Sequence, residues 1–477
     1  MNLIALVVVS SLWGATPTID VVYPRIAPGD TVPRLDKVDS NFVFGNVQPP
    51  DARLWINGAE VIPRHNGAFL AFLPVDWQSK KYVVSSRSGE EQASLTVPFA
   101  AKPIGAPPVA PSGEYPRLIE LSSTPLRSVP NGTYFIFPAA GTRVLATGWE
   151  DGYYRVPLSS SRSGWAEAKS SKDLGKVPAP PTVIVTRLMV DTLADDVIVR
   201  IPSNRKLLVS LRDESDQNRL VLELYGAVSR IDRIGYSPLA PLVREIFWEQ
   251  PSDGVLRLDI RLTAPLWGYY GVWEEKAYVL HLRKKPRLDY GLTGMLIAVD
   301  AGHGGTQDGS IGPMRIKEKD VNLGCALALQ KRLESLGARV LMTRIEDSLL
   351  GLTERTGAAQ AAGAQLLISL HHNALPDGID PFGPGPFGVG VHYYRSESLD
   401  FAMAVKQEVV QELGLPDEGV FYSDLALARP SFCPSILLEA AYMMLPEQEE
   451  IVSSPSYPDR FSSAVVKGIE RFIEGSR

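Results

Sequence analysis

The pattern of apolar residues changes near Leu296, and that change limits what the chain can fold into more than any other feature. Downstream, short strand-like runs alternate with longer helical ones. LIAV is followed by a helical stretch over 319–336, then by RVLMT, a helix over 353–363, LLISL, GVGVHYY, a helix over 399–413, SILLEA and a last helix over 457–474. Strands that alternate with helices must share a sheet whose faces the helices cover. The pattern therefore predicts an α/β domain with a mainly parallel sheet over 293–477. The run DVNLGCALALQKRLESLG has apolar residues at helical spacing and stops at a glycine, the residue that helix ends favour.

Upstream the period is two, not 3.6. From Asp20 to Phe99 the runs NFVFGNV, ARLWING, AFLAFLPV and KYVVSS are separated by turn residues, which predicts a β-sandwich over 20–100. Within it, LWINGAEV followed by NGAFLAFLPV resembles bacterial immunoglobulin-like modules of cell-envelope proteins. A linker, AAKPIGAPPVAPSGEYP, comes next. Residues 115–172 then carry very short strands. PLRSVPNG, GTRVLATGWEDGYYRV and SGWAEA resemble the bacterial Src-homology-3-like barrel, which implies either a grip on cell-wall peptides or a plain spacer. After the break KVPAPPTV, runs such as DDVIVRI and VLRLDIRL predict a further β-rich unit over 181–285, similar to an envelope-targeting sandwich. The expected fold is multidomain, with three N-terminal all-β modules followed by the C-terminal α/β domain.

A length of 477 residues suits several domains. The net charge of −6, from 48 basic and 54 acidic side chains, leaves no basic footprint for nucleic acid. Cys325 and Cys433 are too few for a disulfide framework and read as small core residues. The opening MNLIALVVVSSLWGATPTID has an apolar run from Leu3 to Ala15 that is too short to span a bilayer. It has the length of a signal-peptide core, although no Lys or Arg precedes it and Trp13 disturbs the cleavage site. A signal peptide over 1–18, a periplasmic or secreted location and no transmembrane segment are expected.

Ligands of open α/β sheets bind beyond the carboxyl ends of the strands. In the sequence, His303 follows the first strand, His371 ends LLISLH, Glu439 ends SILLE, and Glu318 opens the first helix. Catalytic zinc takes three protein ligands, commonly His and Glu, and keeps a position open for water. A further carboxylate can take a proton from that water and pass it to a leaving amine. Three of these four residues could thus be ligands and the fourth the base. Taken singly, each has a plainer reading. A histidine after a strand is more often only hydrogen-bonded, and a glutamate at a helix start is commonly a capping charge.

The phrases IAVDAGHGG, IKEKDVNL, VLMTRIED, LTERTGAAQ, LLISLHHNA, GVGVHYY and PSILLEAAY occur in this order from about Met295 onward. Together they resemble the zinc-dependent N-acetylmuramoyl-L-alanine amidases of bacterial cell walls. The resemblance implies zinc ligands at His303, Glu318 and His371 and a catalytic glutamate at Glu439. In HHN the ligand falls on His371, so His372, its neighbour on the strand, should face away. Asn373 is expected to orient a ligand or to make a turn, and His392 to be a sheet-face residue. Arg344 and Arg355 match structural positions of the family, with Asp347 and Glu354 as their expected partners. The loop NALPDGIDPFGPGPFG is expected to line the substrate groove. The implied activity is zinc-dependent hydrolysis of the amide between N-acetylmuramic acid and L-alanine. Peptidoglycan is the substrate, and other envelope proteins are partners of the β modules. A catalytically inactive peptidoglycan-binding adaptor, or another zinc amidohydrolase of the cell wall, are the alternatives.

Overall fold

A computed structural model of the chain describes residues 16–103, 108–109, 114–194, 196–214 and 217–476. The leader expected over 1–18 lies almost wholly outside the described residues. Among those residues, no helix is long and apolar enough to cross a membrane.

The region before residue 290 is built from β-strands. An antiparallel sheet of Thr18–Tyr23, Ser40–Gln48 and Ala68–Pro74 faces a four-stranded sheet that includes Arg53–Ile56 and Lys81–Ser88. Val43, Val47, Leu54, Ile56 and Tyr82 fill the space between them. Alternation along Lys81–Ser88 is strict: Tyr82 and Val84 are buried and the residues between them are not, as a half-covered strand requires. Strands from Arg117 to Gly175 form a three-stranded and a five-stranded sheet around Ile119, Leu126, Ile136 and Tyr154. Between Val183 and Arg283, a five-stranded and a four-stranded sheet close over Val199, Leu222, Leu258 and Leu280.

The C-terminal region contains β1 (Leu296–Ala301), α1 (Glu318–Ser335), β2 (Arg339–Met342), α2 (Leu352–Ala361), β3 (Leu366–Asn373), β4 (Val389–Tyr393), α3 (Leu399–Leu413), β5 (Asp417–Tyr422), β6 (Ser435–Tyr442), α4 (Pro446–Val452) and α5 (Tyr457–Gly475). The sheet order is β2-β1-β3-β6-β4-β5. Four of its strand pairs are parallel, but β4 runs antiparallel to β6. The sheet is therefore mixed. The reversal follows from the connection: β4 is reached from β3 by a loop, without a crossover helix, so it need not return in the same direction.

Side-chain parity assigns the two faces. Ile297, Val299, Leu370 and Leu438 pack under α1, α3 and α5, while Ala298, Leu367 and Leu437 face α2 and the segment around Phe432. Both expected cysteines are buried and free. Gly468 lets α5 lie close against α3, since a Cβ there would be 2.5 Å from Cα of Val405. Gly468→Val should force these helices apart and cost about 1–3 kcal/mol, read as a lower midpoint in urea denaturation followed by circular dichroism. An unchanged midpoint would show that the helices do not meet so closely.

Candidate metal centre

The residues of interest gather beyond the carboxyl ends of β1, β3 and β6. His303 lies just past β1 with φ of +61°, and Gly304 and Gly305 follow at +132° and +57°. A left-handed histidine is strained, so its loop has to be held from outside. Two buried arginines hold it. Arg355 pairs with Asp300 at 2.8 Å and donates to the carbonyls of Ala301 and His303, each at 2.7 Å. Arg344 donates to the carbonyls of Ala301 and Gly302 at 2.8 and 2.9 Å. The partners expected from sequence are engaged elsewhere: Asp347 with Lys319 at 2.7 Å, and Glu354 with the backbone N–H of Gly351.

Glu318 is the first residue of α1, where the helix dipole favours an anion. It is only 3% exposed. Its Oε1 is 2.9 Å from His371 Nδ1, and its Oε2 is 3.2 Å from His303 Nε2. Backbone N–H groups of Ser310 and His372 also donate to it, at 2.8 and 3.1 Å. Burial is the largest influence on its carboxyl group and pushes the pKa up. The hydrogen bonds from the two imidazoles outweigh it and hold the group well below the usual carboxylate range. In His371, burial opposes the charged form, but Glu318 and the charge of Glu439 raise its pKa to about 9.

Successive residues on β3 face opposite sides, and His372 does turn away. It is buried between α1 and α5, with Nδ1 2.8 Å from Asn322 Oδ1 and Nε2 2.8 Å from the Tyr457 hydroxyl. Burial pushes its pKa down to about 4, so the ring is neutral at pH 7. A neutral ring here donates from Nδ1 to Asn322 and accepts the Tyr457 proton at Nε2. Asn322 in turn donates to Glu318 Oε1 and to the Gly302 carbonyl, each at 3.2 Å. The Tyr457–His372–Asn322 chain thus steadies the Glu318 carboxylate from behind the sheet. Sequence reasoning passed over Asn322, although it lies four residues after Glu318, on the same helix face.

Glu439 is the ladder partner of His371 on the parallel neighbour β6, so the two side chains share one face. Its pKa is raised to about 7, first by burial and further by Glu318 and Glu418, against the opposing charge of His371. Among the described residues, its buried Oε2 has no hydrogen-bond partner. Asn373 accepts from the backbone N–H of Ala374, a turn role. His392 contacts Ser423 Oγ at 2.8 Å and stacks on Phe421, as a sheet-face residue does.

One donor atom each from His303, Glu318 and His371 lies within 4.8 Å of the others. The set suits a divalent ion. Two imidazoles and a carboxylate form a known zinc ligand set with an open position. Room for it depends on missing side chains: a Cβ at Gly309 would be 2.3 Å from Glu318 Oε2, and one at Gly302 would be 2.3 Å from His371 Nε2. Glu439, the ladder partner of His371, stands on the same sheet face.

The residues of the site all fall within a stretch that matches known proteins. Residues 297–471 match the family model described as N-acetylmuramoyl-L-alanine amidase, so the C-terminal region carries a domain of that family. Two relatives come from Bacillus subtilis. The uncharacterized protein YqiI is 28% identical over 186 residues, which are 38% of this chain and 87% of YqiI. The N-acetylmuramoyl-L-alanine amidase LytC is 29% identical over 177 residues, 37% of this chain but only 35% of LytC. A solved structure, the amidase AmiC2 of Nostoc punctiforme, is 28% identical and covers 38% of this chain and 99% of its own, with a TM-score of 0.36. The region upstream of residue 297 lies outside the family match.

The hydrogen-bonded backing of Glu318 makes a prediction. If the cluster holds a divalent ion, Asn322→Ala should weaken its binding by about 10–100-fold, the usual cost of losing a group that hydrogen-bonds a ligand, measured by competition with a chromophoric chelator. Unchanged affinity would show that Asn322 does not orient the carboxylate.

Proposed function

We propose that this chain is a zinc-dependent N-acetylmuramoyl-L-alanine amidase. It hydrolyses the amide between the lactyl group of N-acetylmuramic acid and the L-alanine that begins the peptidoglycan stem peptide. The observation that carries the reading is the convergence of His303, Glu318 and His371 within 4.8 Å, with Glu439 on the adjacent strand. The match of residues 297–471 to the amidase family supports it, as does the similarity to the N-acetylmuramoyl-L-alanine amidase LytC.

In this reading His303, Glu318 and His371 hold the ion. When bound, zinc supplies Lewis-acid polarisation of the amide carbonyl and makes water a stronger acid. Glu439 takes the proton of the attacking water and returns it to the departing alanine nitrogen. Its environment suits both steps, since a carboxylate lifted toward neutrality is a stronger base and, once protonated, a usable acid near pH 7. Arg355 and Arg344 keep His303 in its strained conformation, and His372 keeps Asn322 against Glu318.

The reading extends to the rest of the chain. A signal peptide over 1–18 would direct the protein to the periplasm or outside the cell. An immunoglobulin-like sandwich over 20–100, a Src-homology-3-like barrel over 115–172 and an envelope-targeting-like unit over 181–285 would precede the amidase domain. The latter two would hold the enzyme on the wall or on envelope partners.

Purified sacculi incubated with the zinc-loaded protein should release free stem peptides and leave intact glycan strands. Glu439→Gln should lower that rate by at least about 10²–10⁴-fold while zinc content stays at one per chain. Release of muramic-acid-linked fragments or of acetate would contradict the assignment, and loss of zinc in the variant would contradict the role given to Glu439.

A further inference from the structure

The strand Ser40–Gln48 is buried on both faces from Asn41 to Gly45. Val43 and Val47 point into the N-terminal sandwich. Phe42 and Phe44 point the opposite way, yet are 3% and 4% exposed. A free-standing sandwich shows water the outer face of such a sheet. Here the amidase domain covers that face: Phe42 and Phe44 cluster with Leu375, Tyr442 and Met444.

The covering segments are the ones that carry the metal centre. Leu375 follows His371 by four residues, and Tyr442 follows Glu439 by three. A third segment, 309–316, leads into Glu318 and rests on the same sheet. Asn46 donates to the Pro313 carbonyl at 3.0 Å, and the Arg315 guanidinium meets both oxygens of Asp20 at 2.5 Å. Ser310 in this segment is one of the residues that donate to Glu318. At the centre of the junction lies Asp377, whose side chain is 3% exposed. Its carboxylate accepts the Tyr23 hydroxyl, Asn41 Nδ2 at 3.1 Å and the backbone N–H of Asp36 at 2.8 Å. These interactions, more than the exposed Arg315–Asp20 pair, fix the docking.

We propose that the N-terminal sandwich is a fixed part of the catalytic unit. It clamps the three loops that leave or enter the site-bearing elements, and Asp377 is the positioning residue of the clamp. This rests on the reading of His303, Glu318 and His371 as zinc ligands. The sandwich acts on the ion indirectly, by holding segment 309–316 so that Ser310 meets Glu318.

The test uses the full chain with a protease site inserted in the Pro/Gly/Ala-rich stretch 102–114. After cleavage, the sandwich should co-elute with the remainder in gel filtration at micromolar concentration. With Asp377→Ala the two pieces should separate. In the uncut chain, Asp377→Ala should weaken zinc binding by about tenfold, the low end for outer-shell changes. Asp377→Asn, which keeps an acceptor, should fall between it and the unaltered protein. Ile62→Ser, on an 88% exposed position of the sandwich, should change neither readout. Separation of the unaltered pieces would overturn the proposal. So would Asp377→Ala pieces that separate while zinc affinity in the uncut chain is unchanged. Neither readout uses substrate, and failure of the unaltered chain to bind zinc at all would count against the metal reading instead.

Discussion

The Glu318 carboxylate is the centre on which the rest of the site depends. It is buried, and each of its oxygens meets one imidazole and one backbone N–H. A buried anion without such partners would cost several kilocalories per mole and would take up a proton instead. Its position at the start of α1 adds the favourable end of the helix dipole. Gly302 and Gly309 leave space where a Cβ would collide with His371 or with Glu318. Arg344 and Arg355 hold the loop that delivers His303, and Asn322 braces the carboxylate from behind.

From that centre the sheet explains the remaining chemistry. β3 and β6 are parallel neighbours, so His371 and Glu439 stand side by side on one face. The same parity sends His372 to the opposite face, into a neutral buried chain with Asn322 and Tyr457. One dipeptide, HH, thus supplies a donor to the cluster and a brace for the carboxylate. The outer face of the N-terminal sheet packs on Leu375, Tyr442 and Met444, at and just beyond the ends of β3 and β6.

Much of this was legible in the sequence because it followed from periodicity. The four long helices lie where apolar spacing put them, and the strand ends identified His303, His371 and Glu439. What the sequence hid was short, polar or long-range. PEQEEIV forms α4, yet it is too short and too acidic to show a helical stripe. DEGVFY forms the edge strand β5, whose mixed composition reads as loop. Asp377 lies in a Pro/Gly-rich loop expected along the substrate groove, and no local pattern says that it meets Tyr23. NFVFGNV, which the period-two reading makes an alternating run, in fact has apolar residues at odd and even positions alike, as a strand covered on both faces does. The arginine pairings misled for a related reason: Arg355 bonds to Asp300, far away in sequence, and not to its neighbour Glu354.

The most direct test of the central claim is zinc K-edge X-ray absorption on this chain loaded with one equivalent of the ion. Three protein donors of the expected kind predict a first shell of nitrogen and oxygen at about 2.0–2.1 Å, with outer-shell scattering from two imidazoles and no sulfur. In a chain with His303→Ala, one imidazole should be lost from that spectrum. A shell containing sulfur, or one that keeps two imidazoles when His303 is replaced, would place the ion elsewhere and contradict the account.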